Sequence, residues 1–292
     1  MEEQINFTEI ILNSINELFS MIFSSIDNTI YSTLDNLTFI SKDILYDGNF
    51  QKILGQNANE GILLVCNSLI FGFIIYYSIN YLISHLIYSK IDSPKQFIFK
   101  CIIFIAIMNS SLWICSEIIN IITIITNTIS ALSYSLFGKE TTFSNFINII
   151  NENIYSSNDG FTLISFDGFA KSFISFGLIN LIFTYSLRYV MVLIFSLISP
   201  FAFLSLITNS SEWFFKIWIK NFIALLLVQV FITLILLLAF SIPIENNSNI
   251  SKLLYIGIIY ALAKANSYMR ELFGGISYNV TSSLSNFSFS FV

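Results

Sequence analysis

Apolar positions along this chain fall into long runs separated by short polar connectors. Residues 61–84, GILLVCNSLIFGFIIYYSINYLIS, contain no Asp, Glu, Lys or Arg. About 20 such residues cross a bilayer core, so 61–84 is read as a first membrane span. The next run, 101–137, is broken only by Glu117 and is too long for one simple span. It predicts a membrane-embedded segment at 101–122, with the helix continuing outward through the Thr/Asn-rich TIITNTISALS. A tight helical hairpin around Glu117–Asn120 is the alternative. Further runs at 172–208, 221–242 and 253–269 give five spans. Pro94 stands where it can start or precede a helix, and Pro243 closes the fourth run.

The flanks differ in pattern. Residues 1–60 carry Asp or Glu at nine positions against Lys42 and Lys52. Within them Ile11, Ile15, Leu18, Ile22 and Ile26 recur at helical spacing. This predicts an acidic, amphipathic helical region folded against the rest of the protein. A helix lying on the membrane surface fits less well, because the polar face lacks the usual Lys and Arg. In the loop 123–171, Phe143, Phe146, Ile147, Ile150 and Ile154 are also helix-spaced and predict a short amphipathic helix. The tail 270–292 is rich in Ser, Phe and Asn. Glu2, Glu3 and Glu9 occupy the place of a basic leader region, so no secretory signal peptide is expected.

Composition agrees with the pattern: 55% of the 292 residues are hydrophobic and 11% charged, whereas soluble domains carry about 25% charged residues. The expected fold class is therefore all-α, a polytopic membrane protein. A net charge of −5 argues against non-specific nucleic-acid binding, which needs a basic footprint. Cys66, Cys101 and Cys115 all lie in apolar runs without a CxxC pair, so no disulfide is expected. One histidine, His85, supplies no material for a His-based metal cluster or catalytic triad. Neither GxxxxGK[ST] nor a strand-borne GxGxxG occurs, so no nucleotide or other cofactor is expected.

Lys and Arg decide the orientation. With five spans, the connectors 85–100, 208–220 and 270–292 share one side and hold six basic residues in 52 positions; the other side holds five in 119. The positive-inside rule places the first set in the cytoplasm. This gives an external N-terminus, an external loop at 123–171 and a cytoplasmic tail. Splitting the third run at Arg188 would send Lys216, Lys220 and Arg270 outside and weaken the bias.

Three charges lie within or beside spans: Glu117, Arg188 and Lys264. A charge at a bilayer centre costs about 2.5–3.5 kcal/mol on insertion scales, so it usually faces the bundle or water. Arg188 sits near the middle of a run that would be ~55 Å long as one helix, beyond a ~30 Å core. Pro200 offers a break, because it removes one helical hydrogen bond and crowds the carbonyl of Ser196; Ser196 and Ser199 can satisfy the freed groups. The partners expected for Arg188 are Glu117, or else Asn109, Asn180 or Gln229. Lys264 lies near the inner end of its span and can snorkel. Trp213 and Trp218, with Lys216 and Lys220, have the composition of an interfacial anchor.

The order of features in 186–242 resembles the TrbL family, polytopic inner-membrane components of type IV secretion and conjugation machines. The features are Arg188-Tyr189-Val190, Ser199-Pro200-Phe201-Ala202, the polar turn 208–212, Lys216-Ile217-Trp218-Ile219-Lys220, and Gln229 within ALLLVQVFITLILLL. YALAKANSYMRELFGG, with Lys264 and Arg270, is similar to that family's last span and exit. The resemblance covers about 185–275 and leaves the first 60 residues and the 123–171 loop unmatched. It implies a non-enzymatic channel or scaffold subunit in the cell membrane, assembled as a homo-oligomer. It also implies contact with energising ATPases and other secretion subunits, and transient contact with single-stranded DNA bound to its relaxase, or with a protein substrate.

Two other classes compete. A secondary transporter or small ion channel would use Glu117 and Arg188 as coupling groups, but such folds often show two similar halves, and no internal repeat is visible. An intramembrane enzyme would need paired Asp residues, a Ser/His pair or HExxH; no span contains an Asp.

Overall fold

The computed structural model describes residues 14, 17, 32–55, 60–87, 93–150, 166–242 and 249–273. The stripe 11–26, Ile154, Pro243, Gly274-Gly275 and most of the tail lie outside these residues. Every regular element among the described residues is helical. After a helical stretch at 32–38 and a 3-10 turn, Lys42–Tyr46, come α1 (Gly48–Leu54), α2 (Gly61–Ile87), α3 (Pro94–Asn109) and α4 (Ser111–Phe137). They are followed by α5 (Phe143–Ile150), α6 (Phe166–Leu204), a second 3-10 turn (Ser205–Ile207), α7 (Glu212–Phe240) and α8 (Asn249–Leu272).

Four of these helices are long and apolar enough to cross a membrane: 61–86, 111–137, 168–207 and 212–240. Their outward positions carry large apolar side chains, such as Phe71 (71% exposed), Leu82 (65%) and Phe183 (65%). An apolar exterior of this extent needs lipid or protein to cover it. The protein is a membrane protein, all-helical in the regular elements of its described residues. Segment 253–269 forms α8, whose Lys252, Lys264, Arg270 and Glu271 set it below the apolarity of the other four.

The second run departs from expectation. The chain bends at Ser110 (φ −93°, ψ 8°), so 101–122 is not one segment and Glu117–Asn120 lies inside α4 rather than at a hairpin. The Asn109-Ser110-Ser111 sequence explains the site of the break. The Asn109 side chain donates to the Ile105 carbonyl at 2.9 Å, and the Ser110 amide is shared between the Ala106 and Ile107 carbonyls, both at 3.1 Å. Small polar residues that compete for the helix's own carbonyls kink it in this way. The fourth helix also begins earlier than 221: α7 takes in most of the connector from Glu212. An exposed Glu212–Lys216 pair, 3.0 Å apart at i,i+4 spacing, suits that first turn.

Other local expectations hold. Pro94 opens α3, where the Ser93 amide donates to Gln96 Oε1 at 3.2 Å. Helix α5 buries Phe143, Phe146, Ile147 and Ile150 as its spacing predicts. Cys66, Cys101 and Cys115 are free and buried.

Helix α7 is the centre of the bundle, with 61% of its most apolar window buried against 17% for α2. It packs on α4, α6 and α8, and α6 packs also on α2, α3, α4 and α8. At Gly177 a Cβ would strike the Ile259 side chain of α8, so this glycine sets how closely α6 and α8 approach. Two apolar cores result. One joins α5, α8 and the first half of α6 through Phe146, Leu178, Tyr185 and Leu262. The other joins the turn at 42–46, α1, α2, α3, α4 and the second half of α6 through Leu45, Cys66, Cys115 and Val192. The level between Tyr185 and Val192 on α6 is where the two cores meet.

Candidate functional site

Arg188 occupies that level and is fully buried. Its neighbours explain why a membrane helix can carry it there. Nε donates to the Leu225 carbonyl of α7 at 2.8 Å, and Nη1 donates to the Thr38 carbonyl at 2.9 Å. Nη2 donates to Gln229 Oε1 at 3.3 Å. Arginine has only donors, so the Gln229 amide must turn its oxygen toward it. Its nitrogen then donates to Thr126 Oγ1 of α4 at 3.3 Å, and that hydroxyl donates to the Ile122 carbonyl at 2.9 Å. One turn before Arg188, buried Tyr185 donates its hydroxyl to the Leu262 carbonyl of α8 at 3.1 Å.

The charge is solvated by dipoles. Among the described residues no carboxylate pairs with Arg188, and Glu117, expected as its partner, instead receives a 3.5 Å contact from Asn120 on its own helix. Gln229 is the expected partner that the fold supplies; Asn109 bonds within α3, and Asn180 is exposed. The Thr38 carbonyl closes the helical stretch 32–38, where the last C=O groups have no partner within the helix and carry the negative end of its dipole. A guanidinium there satisfies an orphan acceptor and meets a favourable field. The Thr38 hydroxyl is buried without a protein partner, so the backbone, not the side chain, makes this connection.

This placement brings residues 32–46 into the bundle. Asp35 accepts from the Phe143 amide at 2.7 Å, the Ser144 amide at 3.3 Å and the Ser144 hydroxyl at 2.7 Å. Its carboxylate thereby caps the N-terminus of α5. Further along, the Ile40 carbonyl accepts from Thr123 Oγ1 at 3.3 Å, and Tyr46 donates to Ser116 Oγ at 3.1 Å. The segment thus descends along α4 in the opposite chain direction, from beside α5 past Arg188 to Ser116.

Pro200 and Trp218 form a second joint. Helix α6 runs through Pro200 to Leu204, and the Ser199 hydroxyl donates at 2.7 Å to the Ser196 carbonyl, the acceptor that the proline leaves without its helical donor. Trp218 is not an interfacial anchor: it is 2% exposed. Its indole N–H donates to the Phe195 carbonyl at 2.9 Å. The ring stacks on Phe222 at 5.4 Å and meets Phe203 edge-on at 5.4 Å. The helical spacing of Phe215, Trp218 and Phe222 explains the inward turn. Trp213 and Lys220 remain exposed, while Lys264 lies 5.9 Å from the ring centre of Tyr260, one turn away.

Sequence reasoning finds Arg188, Gln229, Pro200 and Trp218, but misses Thr38, Asp35 and Thr126. Thr38 acts through its main chain, which leaves no residue-type signal; Asp35 offered only the generic cap signal of an acidic residue. No group of His, Cys, Asp and Glu suited to a metal occurs among the described residues. Comparisons with family models, curated proteins and solved structures find no match.

The geometry predicts a coupling between Arg188 and Gln229. Arg188→Met strands Gln229 Oε1, and Gln229→Leu strips the buried charge of one acceptor; a stranded buried group costs about 1–3 kcal/mol. In a double-mutant cycle read by unfolding in detergent, the double variant should be about 1–3 kcal/mol less destabilised than the sum of the singles. Additivity to within ~0.5 kcal/mol would mean that the contact carries no weight.

Proposed function

We propose that the chain is a channel or scaffold subunit of a type IV secretion machine in the cytoplasmic membrane. In this reading it passes a single-stranded DNA–relaxase complex, or another protein, across the bilayer without itself being an enzyme. It works as a homo-oligomer beside the machine's ATPases and other membrane subunits. The observation that carries the reading is the use made of the TrbL-like residues. Arg188, Pro200, Trp218 and Gln229 all lie in the interior, and three of them fasten α6 to α7 directly. A transporter's coupling residue must be reachable by its ion or substrate, whereas the Arg188 side chain is enclosed and bonded to main-chain carbonyls and an amide. Residues used this way are framework, which suits a subunit whose role is to shape a conduit.

The topology that accompanies this reading has five spans, with the N-terminus outside and the C-terminus in the cytoplasm. Helix α8 supports a fifth span through its surface: outward positions include Ile250, Leu253, Leu254 and Tyr260, Lys252 and Arg270 near its two ends are buried, and the exposed Glu271 lies in the last turn. With this orientation, residues 32–46 enter the bundle from the external end, where Asp35 holds α5.

Two experiments test the proposal. With Glu140→Cys and Ser210→Cys in turn, an impermeant maleimide applied to intact cells should label position 140 and spare 210; labelling of 210 from outside would reverse or split the topology. Deleting the gene should abolish conjugal transfer or secretion by the machine with which the tagged chain co-purifies, and wild-type chain should restore it. Undiminished transfer in the deletion strain would overturn the functional reading.

A further inference from the structure

Helices α2 and α3 enclose an outward-facing groove of about 520 Å³, lined among others by Ile74, Tyr77, Ser78, Phe97, Ile98 and Cys101. It falls within the ~300–1,000 Å³ of ligand sites. A second groove, beside Trp218, holds about 200 Å³ and falls below that range. The larger groove has a defined chemistry. Its floor is a Tyr77–Phe97 stack with ring centres 3.8 Å apart and planes within 5°. Its rim is apolar and turned outward, with Leu82 65%, Ile98 58% and Ile102 62% exposed. The Ser78 hydroxyl in its wall already donates to the Ile74 carbonyl at 2.8 Å, so it offers no donor to a polar guest.

The ends of the groove are unlike its middle. On α2 the lining stripe runs 74, 77, 78, 81, 82, and its next position at helical spacing is His85, which is exposed and 4.8 Å from the Tyr81 ring. On α3, exposed Lys95 lies one turn before Ile98 on the same flank. Lys95 and Lys100 are the formal charges on α2 and α3; neither helix contains Asp or Glu. An apolar trough that opens toward the membrane and ends in tyrosine, histidine and lysine matches one kind of molecule: an acyl chain joined to an anionic headgroup.

We propose that the α2–α3 groove is a binding site for an anionic phospholipid. One acyl chain lies along Tyr77 and Phe97, and the phosphate sits at the His85–Lys95 end. The site does not depend on the secretion reading. It gives α2, the least buried of the four long apolar helices, a specific boundary molecule.

Native mass spectrometry of the full chain, delipidated and then offered dioleoyl phosphatidylglycerol or dioleoyl phosphatidylcholine, tests the site. The phosphatidylglycerol adduct should persist and exceed the phosphatidylcholine adduct. Ser78→Trp and Ile98→Trp, each filling the trough, should abolish it, while Leu69→Trp, exposed on α2 outside the groove, should leave it unchanged. Lys95→Gln should weaken phosphatidylglycerol retention about fivefold, the effect of roughly one surface lysine, with phosphatidylcholine unaffected. Each variant is compared at unchanged helicity and elution volume. Equal retention of the two lipids, or retention that survives both tryptophans, would overturn the proposal. So would loss of a dimer, rather than of lipid, on filling the groove.

Discussion

A guanidinium shut inside a membrane bundle constrains everything packed around it. Arg188 is fully buried and, among the described residues, pairs with no carboxylate, so the fold must deliver acceptors to it from several directions at once. They come from α7, through Leu225 and Gln229, and from the segment at 32–38, through Thr38. Thr126 of α4 joins at one remove through Gln229. Each acceptor fixes the position of its element, and the level of Arg188 is therefore also the level at which the two apolar cores meet. The interaction stabilises less than its bond count suggests, because desolvating a charge offsets much of the gain. Its main effect is on specificity: an arrangement that slid α7 or withdrew the N-terminal segment would leave a buried charge without acceptors.

The joint at Trp218 works alongside it. In lipid, apolar surface alone does little to hold helices together, so packing and interhelical hydrogen bonds decide which faces meet. Two such bonds, Arg188–Leu225 and Trp218–Phe195, fasten α6 and α7 in antiparallel register on either side of Val192. Pro200 follows without leaving an unsatisfied carbonyl, because Ser199 covers the acceptor at Ser196.

Much of this was legible in the sequence, and the remainder has physical reasons for being hidden. Long apolar runs announce membrane helices because water-filled hydrogen bonding is unavailable in lipid, and the short helix α5 follows from spacing alone. The interior position of Arg188 follows from the cost of exposing it to lipid. Its partner does not: Glu117 is the intuitive counter-ion, but α4 turns it toward Asn120, and neutral dipoles take the charge. The bend at Ser110 was obscured by a continuous apolar run, since the local competition of Asn109 for a carbonyl does not alter hydropathy. Trp218 looked like a headgroup anchor because composition places Trp and Lys at interfaces; only the spacing of Phe215, Trp218 and Phe222 tells that this ring faces inward.

Segment 32–46 lies inside the bundle, against α4, at the depth of Arg188. Oxidative cross-linking in native membranes measures this directly, with Ile40→Cys and Thr123→Cys placed in a chain whose three native cysteines are replaced by serine or alanine. Disulfide formation between positions 40 and 123 should be rapid, and should be lost when Arg188→Ala releases the Thr38 carbonyl. A cysteine at 40 that fails to cross-link with Arg188 intact, and reacts freely with a water-soluble maleimide, would contradict it.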